Sequence, residues 1–248
     1  AEKEEFVESE PGSAHYFRPW VSAKDFLYGT NRWFLDLAEC PKPELFEMKK
    51  CSNLVRAVAE YRSNNKSCRG TRLETDPFKP KQGWKADCDY LAIPNTSSEK
   101  RKYLPVLPLE SSVVISMPDL AIPGGGLYEF GILSSSFHMA WISAVAGRLE
   151  NRFRYANGIV YNNFPWPQSG SEERIANSAQ RVLDCRKEYR GICLADLYNP
   201  KRMPPDLLEA HKSLDTAVEA AYGVDFGGDE EKIVAHLFKL YAELTEGE

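Results

Sequence analysis

Several features are missing from these 248 residues, and each absence removes a class of function. No apolar run approaches the roughly 18 residues that a membrane helix needs. The start, Ala1-Glu2-Lys3-Glu4-Glu5, is acidic and has none of the apolar stretch of a signal peptide. The six cysteines form no C-x-x-C pair and the four histidines are scattered, so zinc-type ligand spacing is absent and no metal is expected. The cysteines read as reduced thiols, and the chain as cytoplasmic. There is no phosphate-binding G-x-x-x-x-G-K and no G-x-G-x-x-G after a strand. No internal repeat is visible. Ala1 is not an initiator Met, and the chain reads as a fragment of a longer protein.

What is present is the composition of a globular chain, with 43% hydrophobic and 27% charged residues and a formal net charge of -5. That average hides a division. Residues 169–248 carry 10 basic and 16 acidic side chains, whereas 49–102 carry 13 basic and 6 acidic. The middle of the chain is suited to face a polyanion and the C-terminal third is not. A solvated surface explains a modest excess equally well.

Local patterns divide the chain into a linker (1–14), a mixed α/β domain (15–168) and a small helical bundle (169–248), an α+β fold. The aromatic-rich stretch from Phe17 to Leu37 reads as short strands around a Tyr28-Gly29-Thr30-Asn31 turn. Apolar spacing predicts a helix from about Pro43 to Asn65, then a loop over 68–88. Tyr90–Ile93, Tyr103–Leu107, Val113–Ser116 and Ile159–Tyr161 are strand candidates. Leu127 to Gly147 reads as two helices, broken at Ser134-Ser135-Ser136, which supplies a cap for the second. Three further helices start near Ser171, Pro204-Pro205 and Asp229, with Gly223 stopping the second of them.

No catalytic constellation emerges. Pro123-Gly124-Gly125-Gly126 before a helix allows a phosphate cradle, but a turn is the plainer reading. Ser134-Ser135-Ser136 near His138 implies no triad, and His138 reads as a helix-packing residue. The sharpest feature is Arg148-Leu149-Glu150-Asn151-Arg152-Phe153-Arg154-Tyr155. In an extended chain Glu150, Arg152 and Arg154 share one face, and Asn151, Phe153 and Tyr155 the other. Such an edge can read bases: Arg bonds guanine twice in the major groove, and Glu accepts from the cytosine amino group. Glu150 and Arg152 together match both halves of one C·G pair. The spacing alone favours an ordinary charged surface strand. Lys100-Arg101-Lys102 offers phosphate contacts, or simply a solvated turn.

A longer pattern adds to this. Tyr128-Glu129-Phe130-Gly131-Ile132-Leu133-Ser134-Ser135-Ser136-Phe137-His138-Met139-Ala140-Trp141, Gly147-Arg148-Leu149, Arg154-Tyr155 and Asn157-Gly158-Ile159-Val160-Tyr161-Asn162-Asn163-Phe164-Pro165-Trp166-Pro167 run in order. Supporting matches are Asp25-Phe26-Leu27 with Gly29 and Arg32-Trp33, Tyr90-Leu91-Ala92-Ile93-Pro94 with Ser97-Ser98-Glu99, and Ala195-Asp196-Leu197-Tyr198 with Met203-Pro204-Pro205. From about residue 15 to the end, the chain resembles the C-terminal half of the MmeI-like DNA methyltransferases, the type IIL restriction–modification enzymes.

In that family one polypeptide joins an endonuclease domain, a helical spacer, an adenine methyltransferase domain, a target-recognition domain and a C-terminal helical part; some relatives lack the endonuclease. The resemblance implies that this chain holds only the last two. The family's S-adenosylmethionine-binding glycine motif and N-P-P-[FY] motif are not in the sequence, so the fragment is expected neither to methylate nor to cleave and to hold no cofactor itself. S-adenosylmethionine belongs to the parent enzyme. The resemblance further places a specificity pair on Glu150 and Arg152, a contact position on Arg154, and two variable positions on Asn95 and on Met117-Pro118. Met117 bonds bases poorly, which suits a degenerate position. Relatives with Lys and Asp at the pair read G·C, so Glu and Arg imply C·G, next to the methylated adenine. The implied partners are double-stranded DNA and the upstream methyltransferase domain, with no membrane.

Three functions therefore compete: a DNA-specificity module, an interaction module bracing a catalytic domain with slight DNA contact, and a free-standing enzyme with an unfamiliar site. A methyltransferase motif encoded just upstream separates the first from the others.

Overall fold

A computed structural model describes residues 2–78, 80–81, 83–116, 119–168 and 170–246. In chain order the elements begin with α1 (Glu2–Ser9), a 3-10 turn over Pro11–Tyr16, β1 (Phe17–Val21), α2 (Ala23–Tyr28), β2 (Arg32–Leu35), α3 (Lys42–Glu47), α4 (Lys49–Asn64) and α5 (Arg72–Thr75). Then come β3 (Gly83–Lys85), β4 (Tyr90–Ile93), β5 (Thr96–Ser98), β6 (Leu107–Leu109), β7 (Val114–Ser116), β8 (Leu120–Pro123), α6 (Leu127–Leu133) and α7 (Ser136–Val145). The last are β9 (Gly147–Leu149), β10 (Arg152–Arg154), a single π-helical turn over Asn157–Tyr161, α8 (Glu172–Glu188), α9 (Leu194–Leu197), α10 (Pro205–Ala221) and α11 (Glu230–Thr245). The class is α+β, as the pattern of the sequence implied. Among the described residues no helix is long and apolar enough to cross a membrane.

These elements sort into two compact units that interleave along the chain. The first comprises Ala1–Val21, Asn31–Lys85 and Ser112–Met117. Its sheet runs β2-β1-β7-β3, with β1 and β7 parallel and the other pairs antiparallel. The stretch 1–14 is not the linker expected from its polarity. Phe6 of α1 packs on the small core of Tyr16, Leu37, Met48 and Cys51. The carboxylate of Glu10 accepts from the backbone amides of Lys50 and Cys51, both at 2.8 Å. Those amides open α4, whose own cap residue Met48 offers no side-chain acceptor. A carboxylate distant in sequence thus satisfies the helix start, and Met48 splits the single helix expected over 43–65 into α3 and α4.

The second unit comprises Ser22–Thr30, Ala86–Ser111 and Pro118–Glu248. It holds two three-stranded antiparallel sheets, β6-β4-β8 and β5-β10-β9. α6 approaches α8 so closely that a Cβ on Gly131 would lie 2.6 Å from Ile175 Cγ2. Of the apolar stripes expected on the C-terminal helices, Ile175 and Val182 of α8, Leu207, Leu214 and Val218 of α10, and Ile233 and Leu237 of α11 are buried, Tyr189, Ala221 and Leu240 are half-buried, and Leu244 is 53% exposed.

Three expected strand regions differ. The Phe17–Leu37 stretch contains α2, which Ser22 and Asp25 cap reciprocally. Over Tyr103–Val106 the chain is buried but irregular: Pro105 has no amide hydrogen, the Val106 amide donates to the Leu104 carbonyl at 3.0 Å, and Arg186 Nη1 donates to the Val106 carbonyl at 2.7 Å, while the Tyr103 hydroxyl donates to Asp215 at 2.8 Å. Ile159–Tyr161 lies in the π-turn, closed by the Asn162 amide on the Asn157 carbonyl at 2.9 Å. The loop expected over 68–88 contains the short α5 and β3.

Candidate nucleic-acid interface

The charged run 148–155 is a hairpin rather than one extended strand. Leu149 pairs with Arg152, Arg148 with Phe153 and Gly147 with Arg154, leaving Glu150-Asn151 as a two-residue turn. Glu150 takes φ 56°, the left-handed region that disfavours residues with a Cβ; among the described residues no other non-glycine does so. Glu150 therefore leaves the strand and stands at the tip.

Because a two-residue turn pairs residue 149 with residue 152, odd and even numbers exchange faces across it. Arg152, Arg154 and Leu149 share the outer face, and Leu149 is 49% exposed there. Arg148 takes the opposite face with Phe153 and stays exposed, its guanidinium 4.1 Å from the Phe153 ring and 3.6 Å from the Glu99 carboxylate. The outer face of β10 is continued by Ser98 and Thr96 of β5, which oppose Arg152 and Arg154. Strict alternation predicts Arg152 and Arg154 correctly and misses Leu149; Asn151, a turn-forming residue, was the available signal.

The inner face anchors this edge. Phe153 and Tyr155 are buried. The Tyr155 hydroxyl is 2.9 Å from His138 Nε2 on α7. Burial pushes the His138 pKa down to about 3, so the pair is a bond between neutral groups. Outside, Arg152 Nη2 meets Glu150 Oε2 at 2.9 Å, with side chains 50% and 78% exposed. An exposed pair of this kind holds only about 0–1 kcal/mol, so both partners can exchange it for new contacts.

The remaining predicted residues divide. Asn95 faces inward with Tyr155: its amide nitrogen donates to the Tyr155 carbonyl at 3.1 Å, and its carbonyl accepts from the Tyr155 amide at 2.8 Å. Its Oδ1 and the second Nδ2 hydrogen remain for a base contact. Met117 and Pro118 lie outside the described residues. Lys100 and Lys102 are exposed, but Arg101 is half-buried, its Nη1 donating to Ser97 Oγ at 3.3 Å. Of the basic triplet, two cations thus face solvent. The Gly124–Gly126 turn is not an open anion cradle, because the Gly126 amide already donates to the Glu129 carboxylate at 2.7 Å.

The chain as a whole is similar to known proteins. The family model described as MmeI, target recognition domain, matches residues 1–168, and that of the MmeI C-terminal domain matches 168–247. The chain belongs to the MmeI family. A curated relative, DNA methyltransferase A of Bacillus subtilis (strain 168), is 34% identical over 243 residues, covering 95% of this chain and 27% of the relative. The solved structure of the type IIL restriction-modification enzyme MmeI in complex with DNA matches with a TM-score of 0.91 and 37% identity, covering 99% of this chain and 33% of that one. The chain spans a third or less of the length of these relatives. The MmeI target-recognition part includes the whole β9–β10 hairpin, and helices α8 to α11 fall in the MmeI C-terminal part.

Proposed function

We propose that this region reads DNA sequence for an S-adenosylmethionine-dependent adenine methyltransferase of the type IIL kind, and that Glu150 and Arg152 read one C·G pair beside the methylated adenine. The hairpin carries this reading. Its tip presents an acceptor and its outer face a bidentate donor, the combination that matches cytosine N4 and guanine O6 with N7 in the major groove. Arg154 follows two residues along the same face as a further contact. Asn95 and Met117-Pro118 are the remaining specificity positions. Lys100 and Lys102 are suited to phosphates, which position the duplex without specifying it. Arg101 braces β5 through Ser97.

The partners in this reading are double-stranded DNA and a methyltransferase domain of the same polypeptide, with or without an endonuclease. No residue of this chain is assigned to S-adenosylmethionine, and the occupied Gly126 amide does not fit one. The C-terminal helices act as a brace, through Arg186 on Val106 and Asp215 on Tyr103.

The test is the methylation motif written by the full-length protein in cells, read by single-molecule sequencing. Glu150→Lys with Arg152→Asp is expected to change one pair of the motif from C·G to G·C. Arg152→Ala alone should lose roughly 1–3 kcal/mol of discrimination at that pair. An unaltered motif from both variants would reject the assignment.

A further inference from the structure

Residues 49–85, in the unit with the four-stranded sheet, carry ten basic and three acidic side chains. Their distribution is uneven. Lys66, Arg69, Arg72 and Lys81 are all exposed, on the loop after α4, at the start of α5 and on the approach to β3. Among the described residues none of these four has a carboxylate at ion-pair distance. Lys81 instead donates to Ser67 Oγ at 3.0 Å.

Nearby carboxylates are spent on backbone amides: Glu74 accepts from Gly70 at 2.6 Å, and Asp76 from Phe78 at 3.1 Å. In the acidic C-terminal helices the lysines are paired, although exposed Arg174 and Arg181 are not, among the described residues. There Lys187, Lys212, Lys232 and Lys239 pair with Asp184, Glu209, Asp229 and Glu243 on their own or adjoining turns.

The loop is also preformed. Cys68 is buried, and its carbonyl accepts both the amide and the hydroxyl of Thr71, at 3.1 and 2.6 Å. Beside it stands exposed Tyr61, whose hydroxyl accepts from Asn65 Nδ2 at 2.8 Å. The surface thus offers ammonium, guanidinium and hydroxyl donors; the exposed carboxylate beside them, Glu60, forms no ion pair with these four cations.

We infer that this loop is a second DNA contact, which grips the sugar–phosphate backbone of duplex DNA and is blind to sequence. The inference rests on the reading of the chain as a DNA-recognition region. Cations without carboxylate partners suit phosphate oxygens, and each phosphate neutralised releases condensed counterions. Such contacts fix the protein on the duplex and specify no base. The loop therefore supplies affinity and the hairpin selectivity.

The test uses the full-length protein and two duplexes, one with its methylation motif and one without, titrated by fluorescence anisotropy across about 50–200 mM salt. Lys66→Ala with Arg69→Ala and Arg72→Ala is expected to weaken both duplexes by the same factor, about 10- to 100-fold, and to reduce the log–log salt slope by about 2–3, at about 0.9 per phosphate. The methylation motif should not change. Arg69→Gln alone should reduce the slope by about 1. Lys187→Ala with Lys212→Ala and Lys239→Ala removes the same charge from the acidic helices and should leave the slope as it was.

An unchanged slope in the loop variants overturns the inference, as does an equal change in both triple variants, which would mean net charge alone. Loss confined to the cognate duplex would assign the loop to base reading. Self-association of the parent protein without DNA, abolished by the loop substitutions, would show that a second copy occupies the surface. If the parent binds neither duplex, the DNA-recognition reading itself fails, and the inference with it.

Discussion

The β9–β10 hairpin and the polar cluster joining the 101–106 loop to α8 and α10 use the same residue types to opposite ends. On the hairpin, arginine and glutamate meet each other in water. In the cluster, Arg186 Nε donates to the Tyr198 hydroxyl at 2.7 Å and Nη1 to the Val106 carbonyl at 2.7 Å. The Tyr198 hydroxyl lies 2.8 Å from His211 Nε2, and burial holds that imidazole neutral by pushing its pKa far down, so the tyrosine donates to it. Asp215 accepts from the Tyr103 hydroxyl and from the Ser136 amide at 2.8 and 2.7 Å. Exposed partners are surrendered at little cost, whereas a buried group left unpaired costs about 1–3 kcal/mol. On the proposed reading, the hairpin pair thus sits where exchange with a base is cheap, and the buried cluster where exchange is expensive.

The largest effect should come from breaking the brace. Arg186→Met leaves the Val106 carbonyl and the Tyr198 hydroxyl short of donors, and should lower the unfolding free energy by roughly 3 kcal/mol in a urea titration. A loss below about 1 kcal/mol would mean that the cluster contributes no more than an exposed pair and would erase the contrast.

Acid should separate the two regions next. Unfolded His138 takes up a proton near pH 6.5, while the folded chain resists it down to about pH 3. Stability from neutral His138 is therefore full above pH 6.5 and falls as the pH drops, by about 2–3 kcal/mol at about pH 4.5. Asp215 opposes this slope: burial raises its pKa to about 6, so the folded state is protonated first and its share of stability falls as the pH rises from about 4 to 6. His138→Gln should remove only the first slope. The stability gap between parent and variant should shrink on acidification; a constant gap would mean that the folded imidazole titrates.

The smallest expected change is at the hairpin tip. Glu150→Gly relieves a positive φ and should stabilise the fold by about 0.5–1 kcal/mol, while degrading discrimination at the C·G pair. A variant both more stable and equally selective would remove Glu150 from the reading surface.

Much of this fold was legible wherever the signal was local. The starts of α7 and α11 followed from Ser135 and Asp229, whose side chains accept from the His138 and Lys232 amides at 3.3 and 3.2 Å. The apolar stripes of α8, α10 and α11 were read from 3.6-residue spacing. Helix α2 was also legible, since Ser22 precedes Asp25 at capping-box spacing, but the surrounding aromatics suggested strand. Glu10 as the cap of α4 and the parallel β1–β7 pair were not, because each joins segments far apart in the chain.

The sequence by itself determined the α+β class, the C-terminal helices and the outward pair Arg152 and Arg154, since propensity, capping and alternation act over a few residues; the family was legible from its long motifs. Tertiary structure decided that Arg148 shares the face of Phe153 while Leu149 shares that of Arg152, and that Arg101 leaves solvent for Ser97. Those choices depend on strand register and on burial against residues elsewhere in the chain, where a single turn reverses the face of every side chain before it.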